Sequence, residues 1–459
     1  MISIVINLFV TLIVLITLIL TNKTAEKSNG NILLGVSLPH RELLNSEVRK
    51  IVQEYHQTYT LAGVVFFLLM LPLLIISKYV SISILYILAW CCLLFFVNSL
   101  IQKRYFNKLY TLKRENKWYV GEKHILSIDT EVSRLKGKMP TSPFWFILAF
   151  IIPIIPIILL LNIQAYPNSS WIFPICSLIS VGIGFLAYRI VTKERAITYS
   201  ENTEINVALN QIYRHQWSKC WILQAHIGSI LYTLMFFLVQ YNALDLFVMT
   251  ALLGISTCLT YAPILSAYYT VREERHNLLL FTSEEVYTDE DQYWATGKYN
   301  NPNDKRVWVE KRIGFGTTVN MASKTGKLTN VFLVIIVIGT IALAKFVMPL
   351  DFGTVELEII DNIAYINAPM YSDSFSMNDI HEVKQVENLP KMSKRNGGDS
   401  EIFYVGNFTL QGYGNCSVYV HRNNSPYLFI TLSDRIVILN GNTPEKTEEF
   451  YSLLKSNTH

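Results

Sequence analysis

Charged residues are scarce in this chain. They make up 16% of its 459 residues, where soluble globular proteins carry about 25%. The shortage is also uneven, because blocks of roughly twenty residues hold one charge or none while the stretches between them are dense in charge. That pattern excludes a soluble enzyme, a disordered chain, and a nucleic-acid binder relying on the net charge of +4. Cysteine is sparse and scattered as well. Cys91, Cys92, Cys176 and Cys258 fall inside apolar blocks, Cys220 at the edge of one, and Cys416 alone near the C-terminus. A solitary Cys416 excludes a disulfide within its own segment and leaves one between chains open. No HExxH, no nucleophile-plus-base spacing and no carboxylate pair occurs in an apolar block, so no catalytic residue is assigned. His215 and His226 would lie about 16 Å apart along a helix axis, too far to share an ion with Cys220 at bonds of about 2.3 Å. No metal and no cofactor are expected.

What is present is eight apolar blocks: 2–21, 59–77, 80–101, 144–161, 171–188, 221–240, 243–261 and 331–348. A hydrocarbon core of about 30 Å takes roughly 20 residues of helix, and backbone groups there must be paired within the segment. The fold class expected is an α-helical integral membrane protein of about eight transmembrane helices. The first block has no preceding basic residue and no cleavage or lipobox signature, so it reads as a retained anchor. Lys and Arg number five, ten, five and nine in the stretches 22–58, 102–143, 189–220 and 268–330, against one (Lys78) in the alternate turns. The positive-inside rule then places those four loops in the cytoplasm, with the N-terminus and the C-terminal domain outside. From 350 onward the chain is net −6, and before it net +10. A basic membrane region, 1–349, is thus joined to an acidic domain, 353–459.

The loops carry helix-start signals. Asn45-Ser46-Glu47-Val48, Asp129-Thr130-Glu131-Val132 and Asn202-Thr203-Glu204-Ile205 each put a capping residue before an acid, which suits the helix N-terminus. They read either as an internal repeat or as ordinary caps on helices entering a membrane. Tyr55, Tyr59, Tyr213 and Trp217 are expected at the membrane–water interface. Pro153 and Pro156 predict a kink in the fourth span, and Pro72 one in the second. Gln224 and His226 are the polar candidates inside a span, either as packing residues with local hydrogen bonds or as part of a transport path. In the loop block 286–327, Asn301-Pro302-Asn303-Asp304 reads as a turn, 306–311 as a strand, and 317–321 as its partner, with Gly314 and Gly316 allowing the bend. Gly-x-Gly without a preceding buried strand and a following helix is no phosphate loop.

Beyond 353 the pattern turns to short strands: 355–360 and 363–367 about Asp361-Asn362, then 402–409, 416–421, 427–432 and 435–439. Thr443-Pro444-Glu445 opens a final helix, whose Phe450, Leu453 and Leu454 could close one end of a β-barrel.

The run Trp294, Gly297, Tyr299, Asn300, Asn301, Pro302, Asp304, Arg306, Val309, Lys311, Arg312, Gly314, Gly316, Thr318, Asn320 resembles an uncharacterised domain in the cytoplasmic loop of polytopic bacterial membrane proteins. Thr317 departs from the tryptophan usual there. Gly35-Val36-Ser37-Leu38-Pro39 resembles a leading segment of the same proteins, whose layout is similar to that of the Sdp-type immunity proteins. The tail, with Gly406-Asn407-Phe408 and Gly412-Tyr413-Gly414, resembles a bacterial pleckstrin-homology domain. These likenesses imply no established reaction. The expectation is a non-enzymatic membrane protein that binds or senses an envelope protein or peptide through its outer domain, in toxin immunity or envelope stress. The alternatives are a transporter of a hydrophobic or peptide substrate and a structural membrane scaffold. The bilayer and a protein or peptide are the expected partners; nucleic acid is not.

Overall fold

The computed structural model describes residues 2–29, 31–118, 130–162, 168–194, 196–200, 202–241, 243, 246–280, 290–314 and 316–456. Among these, eight helical segments are long and apolar enough to cross a membrane: Ser3–Ala25, Ser46–Ile76, Val80–Glu115, Thr130–Asn162, Ile172–Lys193, Thr203–Gln240, Thr250–Leu279 and Lys324–Phe352. They are compatible with a multi-pass membrane protein.

Several helices outrun their apolar blocks, because helical hydrogen bonding does not stop where charge begins. The third runs unbroken over Val80–Glu115 and the sixth over Thr203–Gln240. Their starts follow the capping signals. Asn45 Oδ1 accepts from Glu47 N at 2.9 Å and Asn202 Oδ1 from Glu204 N at 2.8 Å. The third signal loses Asp129, which lies outside the described residues along with Asp245, while Thr130–Leu135 is a short helix. Proline breaks the ladder where expected: the fourth span is interrupted between Phe146–Ile151 and Ile154–Asn162, and the second between Ser46–Leu68 and Leu73–Ile76.

The chain divides into two compact units, one formed by 1–11, 67–94 and 331–459 and the other by 12–66 and 95–330. In the first, the short helix Pro349–Phe352 follows the last span. Its Asp351 carboxylate accepts from Val80 N at 2.9 Å and from Ser81 N and Oγ at 2.6 Å each. A carboxylate at the first amides of Val80–Glu115 satisfies donors that a helix start leaves open and suits its dipole. Phe352 stacks on Tyr79 at 5.4 Å.

The C-terminal domain of this unit is β-rich. Glu356–Ile360, Ile363–Ala368 and Tyr371–Ser376 form a three-stranded antiparallel sheet. Its first turn places Asp361 and Asn362 at φ 47° and 63°, as a tight two-residue hairpin requires. A six-stranded sheet runs in the order Ile380–Val386, Tyr427–Leu432, Ile436–Leu439, Gly414–His421, Phe403–Leu410, Met392–Asp399. All pairs are antiparallel except 414–421 with 436–439. Among the described residues no ladder joins the two sheets. The helix Pro444–Ser456 buries Phe450 and Leu454 against Phe403, Ile430 and Val437, with Leu453 half-buried. Cys416 is also buried, at 3% exposure, in a second cluster with Phe408 and Phe429. A thiol so enclosed is not placed to bridge two chains, which removes the interchain disulfide left open above.

In the second unit, small residues bring helices together. Gly184 of Ile172–Lys193 lies so near Ala225 of the neighbouring helix that an added Cβ would sit 3.1 Å from that side chain, and Ser229 Oγ donates to Ala149 O at 2.8 Å. The four aromatic residues expected at a membrane–water interface are buried within the protein: Tyr55, Tyr59, Tyr213 and Trp217 are 1–8% exposed. Internal acceptors keep them there. Tyr55 donates to Asn22 Oδ1 and Tyr213 to Glu194 Oε2, each at 3.0 Å.

Candidate functional site

The loop block folds around a short hairpin. Trp308–Glu310 pairs antiparallel with Thr317–Val319, and Lys311 N donates to Gly316 O at 3.0 Å. Gly314 turns the chain at φ 88° and donates its N–H to Thr24 Oγ1 at 2.9 Å. A Cβ there would meet Thr21 Cγ2 at 2.7 Å, so both conformation and space call for glycine.

Below the hairpin the motif residues satisfy one another. Asn320, fully buried, accepts from Asn301 N at 3.1 Å and donates to the carbonyls of Asn301 and Asp304 at 2.8 and 3.1 Å. Tyr299, also fully buried, donates to Asp304 Oδ2 at 2.9 Å and receives Asn301 Nδ2 at 3.2 Å. Arg306 holds Asp304 through Nε at 2.8 Å. Burial pushes the Asp304 carboxyl up, but the Arg306 and Tyr299 donors outweigh it and hold the group below its usual range. Trp294 lies 5.1 Å from Tyr299 and under the Arg312 guanidinium at 5.4 Å.

At the centre is Asp291, fully buried, which sequence reasoning did not single out. Its carboxylate accepts from Lys113 Nζ and Ser37 Oγ at 2.7 Å each, from Ser37 N at 3.2 Å, and from Arg312 Nη1. Arg312 also donates to Gly35 O at 2.8 Å. Burial alone would raise the acid's pKa, yet Arg312 and Lys113 dominate and hold it below the ordinary carboxylate range. The block is therefore locked onto the segment that carries Gly35, Val36 and Ser37, itself a small hairpin pairing Ile32–Leu33 with Val36–Ser37. Lys113 is 1% exposed. By sequence it was one more basic loop residue, because a charge count does not distinguish a solvated amine from a buried one.

Beside this lock lies an open groove with a volume of about 1400 Å³. Eight basic and four acidic side chains line it, among them Arg189 and Lys193 from one helix end and Lys305 and Lys311 from the hairpin. Three of the basic groups are paired: Arg275 with Glu310 at 3.1 Å, Arg306 with Asp304, and Arg312 with Asp291. Among the described residues Lys136, Arg189, Lys193, Lys305 and Lys311 have no ion-pair partner, so the groove is net basic. Burial pushes the lining carboxyl of Glu194 up, against the lowering effect of the Tyr213 hydroxyl. The nearby Arg214 guanidinium, 1% exposed, donates to Val191 O and Thr192 O at 3.1 and 3.0 Å and closes the C-terminal end of Ile172–Lys193.

The structure thus gathers Trp294, Tyr299, Asn301, Asp304, Arg306, Arg312, Gly314, Gly316 and Asn320 into one assembly. Gly297 serves its first turn at φ 81°, whereas Pro302 is exposed and Lys311, also exposed, lines the groove. Gln224 and His226 are not part of it. Gln224 Nε2 donates to Thr260 O at 2.5 Å, and His226 Nδ1 lies 2.8 Å from Ile222 O on its own helix, an arrangement that suits packing.

Two families match parts of the chain. The bacterial PH domain matches residues 355–458. A family of unknown function (DUF5808) matches residues 302–327. The first covers the β-rich domain and its terminal helix; the second covers the hairpin and the start of the last span, leaving Trp294 to Asn301 outside it. No curated protein and no solved structure matches the chain.

Proposed function

We propose that this is a non-enzymatic membrane protein whose PH-like domain, on the outer side of a bacterial cell membrane, binds a cationic peptide or protein surface. The observation that carries the reading is the solvent face of the three-stranded sheet. Ile360, Ile363 and Tyr365 are 53%, 36% and 40% exposed, beside exposed Glu356 and Glu358, which have no ion-pair partner among the described residues. Carboxylates flanking exposed apolar side chains complement a basic amphipathic ligand, and the domain's net charge of −5 favours the same encounter. The membrane helices would anchor the domain and relay its occupancy. Protection against a secreted membrane-active peptide, in the manner of the Sdp-type proteins similar in layout, is one role this chemistry serves.

Two measurements test it. A cysteine replacing exposed Ser372 should react with a membrane-impermeant thiol reagent in intact cells; reaction only after permeabilisation would reverse the orientation and end the proposal. With the full chain in lipid nanodiscs, Glu356→Lys together with Glu358→Lys should weaken binding of a synthetic cationic amphipathic peptide by about tenfold or more. Equal binding by both proteins would refute the sheet face as the site.

A further inference from the structure

The basic groups of the groove that lack an ion-pair partner among the described residues have no role in the lock around Asp291 and none in the proposed function of the C-terminal domain. Basic loops next to membrane helices follow from the positive-inside rule, but that rule places charge at a membrane face and does not gather it into one cleft. Here side chains from three separated stretches meet: Lys136 after Thr130–Leu135, Arg189 and Lys193 at the end of Ile172–Lys193, and Lys305 and Lys311 in the hairpin block. The paired cations of the same cleft, Arg275 and Arg306, are held in place by Glu310 and Asp304. Among the described residues the cleft is therefore preformed on one side and electrostatically unsatisfied on the other.

Its second property is amphipathic order. Leu186, Arg189, Ile190 and Lys193 recur at the spacing of a single helix face and all four line the groove. Leu186 is 64% and Ile190 36% exposed; Leu186 precedes both charges and Ile190 lies between them, along a helix apolar enough to cross a membrane. Along the last two turns of that helix, exposed aliphatic side chains alternate on one face with cations that have no ion-pair partner among the described residues. Trp308, 37% exposed, adds an aromatic surface in the same cleft. A ligand matching this wall has an apolar portion continuous with a multiply anionic head. A basic pocket at the ends of membrane helices is suited to phospholipid headgroups, and Arg and Lys both donate hydrogen bonds to phosphate oxygens. A volume of about 1400 Å³ exceeds the range of about 300–1,000 Å³ usual for small-ligand sites, as a headgroup with the first part of its chains requires.

We propose that this groove binds the phosphate headgroup of an anionic phospholipid, with its acyl chains lying along Leu186 and Ile190. The inference rests on the membrane reading of the helices but not on the peptide-binding role of the C-terminal domain, so the two stand or fall separately.

The test uses the full chain in mixed micelles of phosphatidylglycerol and phosphatidylcholine, with retained lipid read by native mass spectrometry. The wild-type protein should retain phosphatidylglycerol in clear excess. Arg189→Gln, Lys193→Gln and Lys305→Gln combined, all at exposed positions, should reduce that preference by about tenfold or more. A control carrying Lys103→Gln and Lys327→Gln, which are not lining residues, should keep it. Thermal unfolding of each variant shows whether the fold is intact. If the combined variant does not fold, Lys305→Gln alone is read in its place and should lower the preference severalfold. Equal retention of both lipids by the wild type, or an unchanged preference in the folded variant, would overturn the proposal. Glycerol phosphate at millimolar concentration should leave the lipid in place; displacement by it would assign the site to a free phosphate compound and overturn the lipid assignment.

Discussion

The block around Asp291 and the C-terminal β-rich domain are both built on short strands, yet they are held by opposite means. The block's hairpin is two strands of three residues, and what fixes it is a buried carboxylate with two cations, together with asparagine side chains bonded to backbone. The C-terminal domain is fixed by apolar clusters on both sides of its six-stranded sheet. An apolar core tolerates many sequences of similar volume. A buried ionic node specifies its partners by name, because removing one leaves another charge without compensation. This contrast accounts for a recognisable residue string in the block, where the domain shows only a pattern of alternation.

The comparison breaks most sharply at Asp291. Asp291→Ala leaves Lys113 and Arg312 facing each other in a buried space, and the expected loss is about 3–5 kcal/mol. In the full chain, limited proteolysis should open the region around 290–320 while the C-terminal domain stays resistant. Retained protection of the block would mean the node is not what holds it. The converse change is Ile430→Ala, at a fully buried position in the domain's core, expected to cost about 2–5 kcal/mol. Proteolysis should then attack the domain and spare the block; simultaneous loss of both would show that the two regions unfold together.

Acid offers the gentlest separation. The Asp291 carboxyl sits below its ordinary range, so its stabilising contribution is complete above the unfolded-chain value of about 3.9. It is lost as pH falls through the lower native value. Hydrogen exchange in the block, normalised to the intrinsic amide rate at each pH, should therefore be flat down to about pH 4 and rise in stronger acid, and the Asp291→Ala protein should lack that step. The same rise in the variant would assign it to other carboxylates.

Much of this was legible in the chain. Gly314 and Gly316 announced the hairpin bend, Asn45 and Asn202 the helix starts, Pro153 a broken span, and alternating apolar residues six of the strands now seen in the domain. The strands Tyr371–Ser376, Ile380–Val386 and Met392–Asp399 were missed. The segments YSDSFS and MSKRNGGD are polar, and their pairing rests on backbone hydrogen bonds. In the last, Gly397 faces Gly406 across the ladder, where a Cβ on Gly397 would fall 2.1 Å from Val405 O; glycine there marks close approach of two strands, although in sequence it reads as a turn. Asp291 and Lys113 were missed for a different reason. They are 178 residues apart, and nothing in the local pattern of either distinguishes a partner in the interior from a charge in water.

Asp351 turns the join between the last helix and the C-terminal domain into a matter of register. Its carboxylate meets the amides of Val80 and Ser81 because it sits three residues past Met348 with no slack between. One residue inserted before it would swing the carboxylate about 100° around the helix axis and uncap the helix. Downstream, Gly353 is wedged between Pro349 O and Pro369 Cγ, 2.5 and 2.4 Å from where a side chain would begin. A chimaera that exchanges the terminal domain therefore has a natural splice point only after this knot, and the four residues Pro349–Phe352 must travel with the helix they cap, not with the domain they precede.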